Sequence, residues 1–346
     1  MKILVTGGAG FIGSHVTQYY AQKGDDVICY DNLSRATLLG NSIDTTYNWN
    51  YLKAFPNVRL VHGDIRNMAS LKEVVNGVDV IIHTAAQTAV TTSMVDPKTD
   101  FETNTLGTFN ILEAARLSGS KPAVIYCSTN KVYGENVNKV GVIDRGTRYT
   151  FEKQFKNGVS ESFSIDACEH TPYGCSKLSG DLYVQDYGYL YGLKTGVFRM
   201  SCIYGIRQFG VEDQGWVAWF VIATILGKAI TIYGDGKQVR DILYVTDLVS
   251  AFDSFISSNL DHAVFNMGGG FLNTISLLEL LELLEEQTGK RSAINFSQWR
   301  PSDQKVYISD IAKAKRELAW EPKISPRDGI SKLIEWVAKN KSLFPG

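Results

Sequence analysis

The chain has 346 residues, with 35 lysines and arginines against 36 aspartates and glutamates, for a formal net charge of −1. The length exceeds one average domain of about 150 residues and predicts two units with ample core, while the balanced charge, without a basic tail or stripe, argues against nucleic acid as a partner. Met1 to Thr6 runs directly into glycines without the apolar segment of a signal peptide, and the longest apolar run, Trp216 to Gly227, is shorter than the roughly 20 residues that span a bilayer, so the expectation is a cytoplasmic protein with no membrane partner.

Five scattered cysteines (Cys29, Cys127, Cys168, Cys175, Cys202) form no C-x-x-C pair. They read as reduced thiols, with neither a disulfide framework nor a metal site expected.

In chain order, Lys2 to Thr6 predicts a strand, Gly7-Gly8-Ala9-Gly10-Phe11-Ile12-Gly13 a tight glycine turn, and the residues to about Gly24 a helix. Val27 to Tyr30 predicts a second strand ending at Asp31. Strand, glycine loop, helix and a following acidic residue make up a dinucleotide fingerprint. Gly7 permits the turn, Gly10 lets backbone N–H groups approach a pyrophosphate, and Gly13 lets helix and strand pack closely. The helix N-terminus, with Phe11 and Ile12, then faces the phosphates. Asp31, with Asn32 beside it, is placed to accept bonds from ribose hydroxyls and to repel a 2′-phosphate, which favours NAD over NADP; Arg35 is within reach of such a phosphate. The polar stretch 36–57, with Tyr47 and Trp49, reads as a short helical insertion.

Strands follow at Val58 to Val61, Val78 to His83 and Ala123 to Cys127, with helices at Met68 to Val75 and Asp100 to Leu117. Repeated strand–helix units predict an α/β fold with a doubly wound parallel sheet. Asp64-Ile65 and Ala85-Ala86-Gln87 follow strand ends, where such sheets bind ligands, so these five residues are candidates for cofactor contacts. For Asp64 a plain turn-forming aspartate competes equally; His83 reads as a structural histidine. Residues 134–171 predict a long irregular segment, and 199–213 a loop. Further strands are expected at Thr195 to Phe198, Ile230 to Tyr233, Asp241 to Val245, Ala263 to Met267 and Ala293 to Phe296. Trp216 to Gly227 predicts a buried helix or subunit contact, and Asp247 to Ser257, Leu277 to Gln287, Ile311 to Leu318 and Pro326 to Asn340 predict helices.

Tyr-x-x-x-Lys occurs at Tyr19/Lys23, Tyr149/Lys153, Tyr173/Lys177 and Tyr233/Lys237. Only the third opens a helix, because Pro172 suits a first turn and the pattern runs on to Gly192. Residues four apart share a helix face, so Tyr173 and Lys177 can meet one substrate.

Thr6-Gly7-Gly8-Ala9-Gly10-Phe11-Ile12-Gly13-Ser14, Asp64-Ile65, Tyr173-x-x-x-Lys177 and Arg240-Asp241 together resemble the extended short-chain dehydrogenase/reductases that act on nucleotide sugars, over nearly the whole chain. The resemblance implies a Rossmann-type NAD-binding domain over 1–198 and 236–265, and a smaller C-terminal α/β substrate domain over 199–235 and 266–346. It implies Tyr173 as general base, Lys177 as the charge that favours its phenolate, and Thr129 as the hydroxyl on the reacting oxygen. Tyr173 and Lys177 would also contact the cofactor.

The segments Ser128-Thr129-Asn130-Lys131-Val132-Tyr133-Gly134, Arg207-Gln208-Phe209, Asp213-Gln214-Gly215-Trp216-Val217 and Gly236-Lys237-Gln238-Val239-Arg240-Asp241 resemble the branch that inverts C2 of CDP-linked hexoses, interconverting CDP-paratose and CDP-tyvelose. Dehydratases of the family follow the hydroxyl residue with Asp-Glu; here Asn130 and Lys131 stand there, which favours oxidation and return over loss of water. Thr129, Asn130, Lys131, Gln214 and Trp216 are the implied sugar or base contacts, and Arg240 and Arg300 the implied diphosphate contacts. The partner is then a nucleotide-diphosphate sugar, a CDP-hexose first. A broader nucleotide-sugar epimerase, or a 4-epimerase of the UDP-glucose type, is the alternative. A non-catalytic NAD-binding regulator would have no need of Thr129, Tyr173 and Lys177 together. The family also implies a homo-oligomer paired through the helices at Asp100 to Leu117 and Pro172 to Gly192.

Overall fold

The computed structural model describes residues 1–35, 37 and 46–344. They divide into two compact units: residues 1–132, 171–199 and 249–265, and residues 133–170, 200–248 and 266–346. Segments 133–170 and 236–248 thus cluster with the second unit. Within it, Tyr149 donates its backbone N–H to Lys237, and Val239 anchors both Ser276 and Val306.

The first unit is built on a seven-stranded sheet in the order His262–Met267, Thr195–Met200, Ala123–Thr129, Val80–His83, Lys2–Thr6, Asp26–Asp31, Val58–His62. Ile3 lies opposite Val27 on one side and Val80 on the other, both in parallel register. The central strands are apolar at successive positions because both sheet faces are covered. One face packs Leu4, Ile28, Ile81 and Val124 against Leu71, Ile111, Ala115 and Val184 from helices, and Phe198 meets Phe252 and Phe255 in a second apolar layer. This is the doubly wound α/β sheet that the strand–helix alternation predicts.

The insertion carries a helix at Tyr47–Leu52 as expected; residues 36 and 38–45 lie outside the described residues. The expected helix at Asp100 to Leu117 is instead three pieces: Pro97–Phe101, a π-helical turn at Glu102–Leu106, and Gly107–Leu117. Asp96 sets the earlier start by accepting the Thr99 N–H at 3.0 Å.

In the second unit, Val239–Tyr244 is the central strand, pairing with Cys202–Tyr204 and Val306–Tyr307 in parallel and with Thr274–Ser276 antiparallel. The expected loop 199–213 therefore contains a strand, and the expected irregular segment 134–171 contains the hairpin Val142–Asp144 with Tyr149–Phe151. Three-residue strands are too short to show a period-2 pattern and exist through their distant partners. The apolar run is the helix Trp216–Leu226, mostly buried. Among the described residues no helix is long and apolar enough to cross a membrane.

Candidate functional site

The glycine turn is dictated sterically. Gly7 has φ +68°, and a Cβ there would sit 2.6 Å from the Ala85 nitrogen, so this strand end and the Ala85 loop touch only because Gly7 has no side chain. A Cβ on Gly13 would strike the Gly7 carbonyl, which is the close helix–turn packing expected of it. Gly10 begins the helix Phe11–Gln22, and no side chain caps it, leaving first-turn N–H groups directed at an outside acceptor. Asp31 closes the loop by accepting the Ala9 N–H at 2.9 Å and the Leu33 N–H at 2.7 Å. Burial raises its pKa against those backbone bonds. A close-approach glycine cradle, an uncapped helix start and a carboxylate at the next strand end fit a dinucleotide.

Asn32 donates to Asp64 at 2.9 Å, and Asp64 also pairs with Arg66 at 2.7 Å. That guanidinium, helped by Asn32, brings the Asp64 carboxyl down to about 2. Ile65 packs where a side chain on Gly107 would otherwise stand. Gln87 is fully engaged: its amide donates to Ala89 and Asp100, its carbonyl oxygen accepts from Ala89, and its backbone exchanges two bonds with Asn104. Its side chain thus shapes the loop after Ala86. His83 is held between Thr6 at 2.7 Å and Thr108 at 3.0 Å. Burial, followed by Lys177, depresses it to about 3, in keeping with the structural reading.

The helix Pro172–Tyr191 starts as the proline predicts, with Thr171 accepting the Gly174 N–H at 3.2 Å. Tyr173 hydrogen-bonds the Thr129 side chain. Burial pushes the phenol up to about 12, Thr129 pulls it back, and Asp100 and Cys127 push it further. Thr129 is fixed in turn by the Lys131 N–H at 3.3 Å, and donates to Asn130 at 3.4 Å. Lys177, four residues on, is buried with its ammonium 4.1 Å from the centre of the Tyr126 ring. Burial lowers it to about 8, and Cys127, Asp181 and Asp100 hold it up.

The other three pairs are spent elsewhere. Tyr19 and Lys23 both bond Asp253, Tyr149 bonds Asp235, and Tyr233 bonds Glu212.

Sequence reasoning missed Asn104. It sits in the π-helical turn, buried, and donates to Asp100 at 3.1 Å and to Ser176 at 3.1 Å while exchanging bonds with the Gln87 backbone. The wider turn aims its amide at both the Gln87 loop and the helix of Tyr173 and Lys177, and π-helical turns concentrate at functional sites. Only a break in helical periodicity could have signalled it.

In the second unit, Arg240 is buried, pairs with Asp303 at 2.6 Å and donates to the Gln304 carbonyl at 2.6 Å. Arg300 pairs with Asp213 at 2.7 Å and lies 3.9 Å from the Tyr233 ring centre. Arg300 and Asp303 also line a cavity of about 580 Å3 together with Glu135, Asn138, Trp299 and Lys305. The Trp216 indole donates to the Cys202 sulfur at 3.1 Å, and Gln214 exchanges backbone bonds with Val211.

A family model described as GDP-mannose 4,6 dehydratase matches residues 4–333. The CDP-paratose 2-epimerase of Salmonella typhi is 41% identical over 98% of this chain and 99% of its own. The UDP-glucose 4-epimerase of Thermotoga maritima, solved with UDP-glucose, superposes with a TM-score of 0.81 at 31% identity, covering 99% of this chain and 100% of that one. The UDP-glucuronic acid 4-epimerase of Bacillus cereus, solved with UDP-glucuronic acid and NAD, gives 0.80 at 28% identity, covering 99% and 100%. With a cradle shaped for NAD and likeness along its whole length, the chain belongs to the extended short-chain dehydrogenase/reductases matched by the GDP-mannose 4,6 dehydratase model.

Proposed function

We propose that this NAD-dependent nucleotide-sugar epimerase inverts C2 of a CDP-linked hexose, interconverting CDP-paratose and CDP-tyvelose by transient oxidation. The observation that carries this reading is Thr129 bonded to Tyr173 and followed by an amide, Asn130, and an amine, Lys131. A hydroxyl–phenol pair suits proton removal from a sugar alcohol, while no carboxylate stands in the next two positions to assist loss of water. Likeness to the CDP-paratose 2-epimerase at 41% identity supports the choice of carbon and base.

In this reading Tyr173 takes the proton of the C2 hydroxyl and Thr129 hydrogen-bonds the reacting oxygen. Lys177 supplies positive charge behind them. Bound NAD would supply a hydride acceptor and donor for C2. Gly7, Gly10, Phe11, Ile12 and Gly13 would hold its pyrophosphate, Asp31 and Asn32 its ribose, Asp64 and Ile65 its adenine side, and Ala85 and Ala86 the loop beside it. Arg240 and Arg300, bonded here to Asp303 and Asp213, would exchange those carboxylates for the substrate diphosphate, and Asn130, Lys131, Gln214 and Trp216 would shape sugar and base recognition.

We propose further that the protein is a homo-oligomer. Leu106, Leu117, Leu182, Tyr183 and Leu190 are exposed along the helices Pro97–Leu117 and Pro172–Tyr191, which lie side by side with Phe109 and Tyr183 in ring contact at 5.8 Å. Exposed apolar residues on adjoining helices support that reading.

A second reading, a 4-epimerase of the UDP-glucose type, draws on the 0.81 superposition with such an enzyme. Incubating the purified protein with CDP-paratose and with UDP- and dTDP-hexoses, and identifying products by NMR, separates the two. Inversion of CDP-paratose at C2 supports the proposal. Inversion of UDP-glucose at C4 alone supports the second reading, and no product from any sugar contradicts both.

A further inference from the structure

Tyr173, Lys177, Asp181 and Gln185 follow one another at intervals of four along one helix, and so form a single row on its face. The first two are the candidate base and its cation. The third is completely buried, and its carboxylate accepts four hydrogen bonds. Ser128 donates at 2.7 Å, Arg199 through Nε at 2.9 Å and through a terminal nitrogen at 3.0 Å, and Gln185 at 2.6 Å. The donors come from three elements: the end of the strand Ala123–Thr129, the strand Thr195–Met200, and the helix itself.

Ser128 and Thr129 are consecutive, and each grips the same row, Thr129 at Tyr173 and Ser128 at Asp181. The Tyr126 hydroxyl adds a bond of 3.3 Å to the Lys177 carbonyl between them. Two anchored points fix a helix against both sliding and rotation, where one would leave it a pivot. A buried ion pair contributes little net stability, because desolvation offsets its attraction. A carboxylate with every lone pair occupied, beside a buried lysine, is better explained by the order it imposes.

We propose that Asp181 is a positioning residue of the reaction: through Ser128 it sets where Thr129 meets Tyr173, and it supplies the counter-charge that keeps the Lys177 ammonium in place. The groups facing Lys177 are Cys127 and Tyr126 from one strand, His83 from the next, Asp100 from the segment Pro97–Phe101, and Asp181 with Arg199 beyond it. Asp100 is shared with Gln87 and Asn104. Of these groups, Asp181 lies on Lys177's own helix and is held by a bidentate arginine.

The inference rests on the epimerase reading for its kinetic arm only. Asp181→Asn keeps the shape of the side chain and removes its charge. Asp181→Asn with Arg199→Gln also removes the guanidinium that the single change would strand, and takes its place in every arm if the single variant does not fold. The readouts are kcat and KM on whichever nucleotide sugar the wild type inverts, bound NAD, and the titration of Lys177 followed by NMR of ε-carbon-labelled lysine, with its signal assigned by its loss in Lys177→Arg. The expected result for both variants is bound NAD retained, KM little changed, and kcat reduced about 100-fold, as for a misplacement of about 1 Å. In Asp181→Asn, which leaves Arg199 unpaired, Lys177 should titrate about one unit lower, which moves the alkaline limb of kcat to lower pH; in the double variant, with both charges gone, the shift should be smaller. Unchanged kcat and an unchanged Lys177 titration in Asp181→Asn would overturn the proposal, as would recovery of kcat in the double variant, which would show a merely structural pair. If the wild type inverts no nucleotide sugar, the functional reading fails, and the Lys177 titration still decides this one.

Discussion

The ammonium of Lys177 lies 4.1 Å from the centre of the Tyr126 ring, buried on the same helix as Tyr173. A cation over an aromatic face is stabilised where water is excluded, so the ring keeps the charge in a place that would otherwise expel it. Tyr173, meanwhile, stands at about 12 under burial, with Thr129 as the influence that lowers it. Burial thus disfavours the charged form of both side chains, and for Tyr173 to act as base the positive charges of Lys177 and of bound nicotinamide would have to offset it.

Tyr173→Phe tests the first of these. It keeps the ring and removes the proton acceptor, so turnover should fall by about 100- to 10000-fold, the usual worth of a general base, while bound NAD is retained. Product NMR and the nucleotide released on heating measure the two. An unchanged rate would remove Tyr173 from the role assigned to it.

Lys177 predicts a pH dependence of stability. Its pKa falls from 10.5 to about 8 on folding because of burial. Below pH 8 both folded and unfolded chains hold the proton, and the fold bears the full penalty. Between pH 8 and 10.5 the unfolded chain holds more protons, so stability rises with pH, and above that window the penalty is gone. Urea unfolding of wild type and Lys177→Met across this window should show the difference shifting by roughly 3 kcal/mol in favour of the wild type. A constant difference would contradict the burial of a charged Lys177.

Gly13→Ala places a methyl group against the Gly7 carbonyl. Overpacking of this kind costs about 1–3 kcal/mol, and here it distorts the turn meant for the pyrophosphate. The expected outcome is a lower melting temperature together with loss of co-purifying NAD. Full NAD content would show that the turn serves the fold alone.

Leu106→Glu combined with Leu190→Glu places charge on the exposed apolar helices. Sedimentation velocity should show a smaller species than the wild type. If the wild type is already a monomer, the homo-oligomer reading fails.

The local parts of this structure were legible in the sequence. The glycine turn, Asp31 at the next strand end and Pro172 at a helix start are written within a few residues of one another, and local sterics fix them. Long-range pairings were not legible. Nothing near Asp181 announces Arg199 or Ser128, and the three-residue strand Cys202–Tyr204 forms only because Ile242 to Tyr244 lies beside it. Asn104 was hidden inside a helical pattern that its π-helical turn interrupts. The family resemblance points to Arg240 and Arg300 as phosphate contacts but not to their carboxylate partners Asp303 and Asp213, because ion pairing across loops leaves no mark in either segment.

Transient oxidation at C2 is open to one direct measurement. The purified protein is incubated with CDP-paratose in deuterated water and the product is examined by NMR. The expected product is CDP-tyvelose with protium retained at C2 and no net NADH, since the hydride that leaves the carbon is the one that returns. Deuterium at C2, a released keto-sugar, or inversion at another carbon would contradict it.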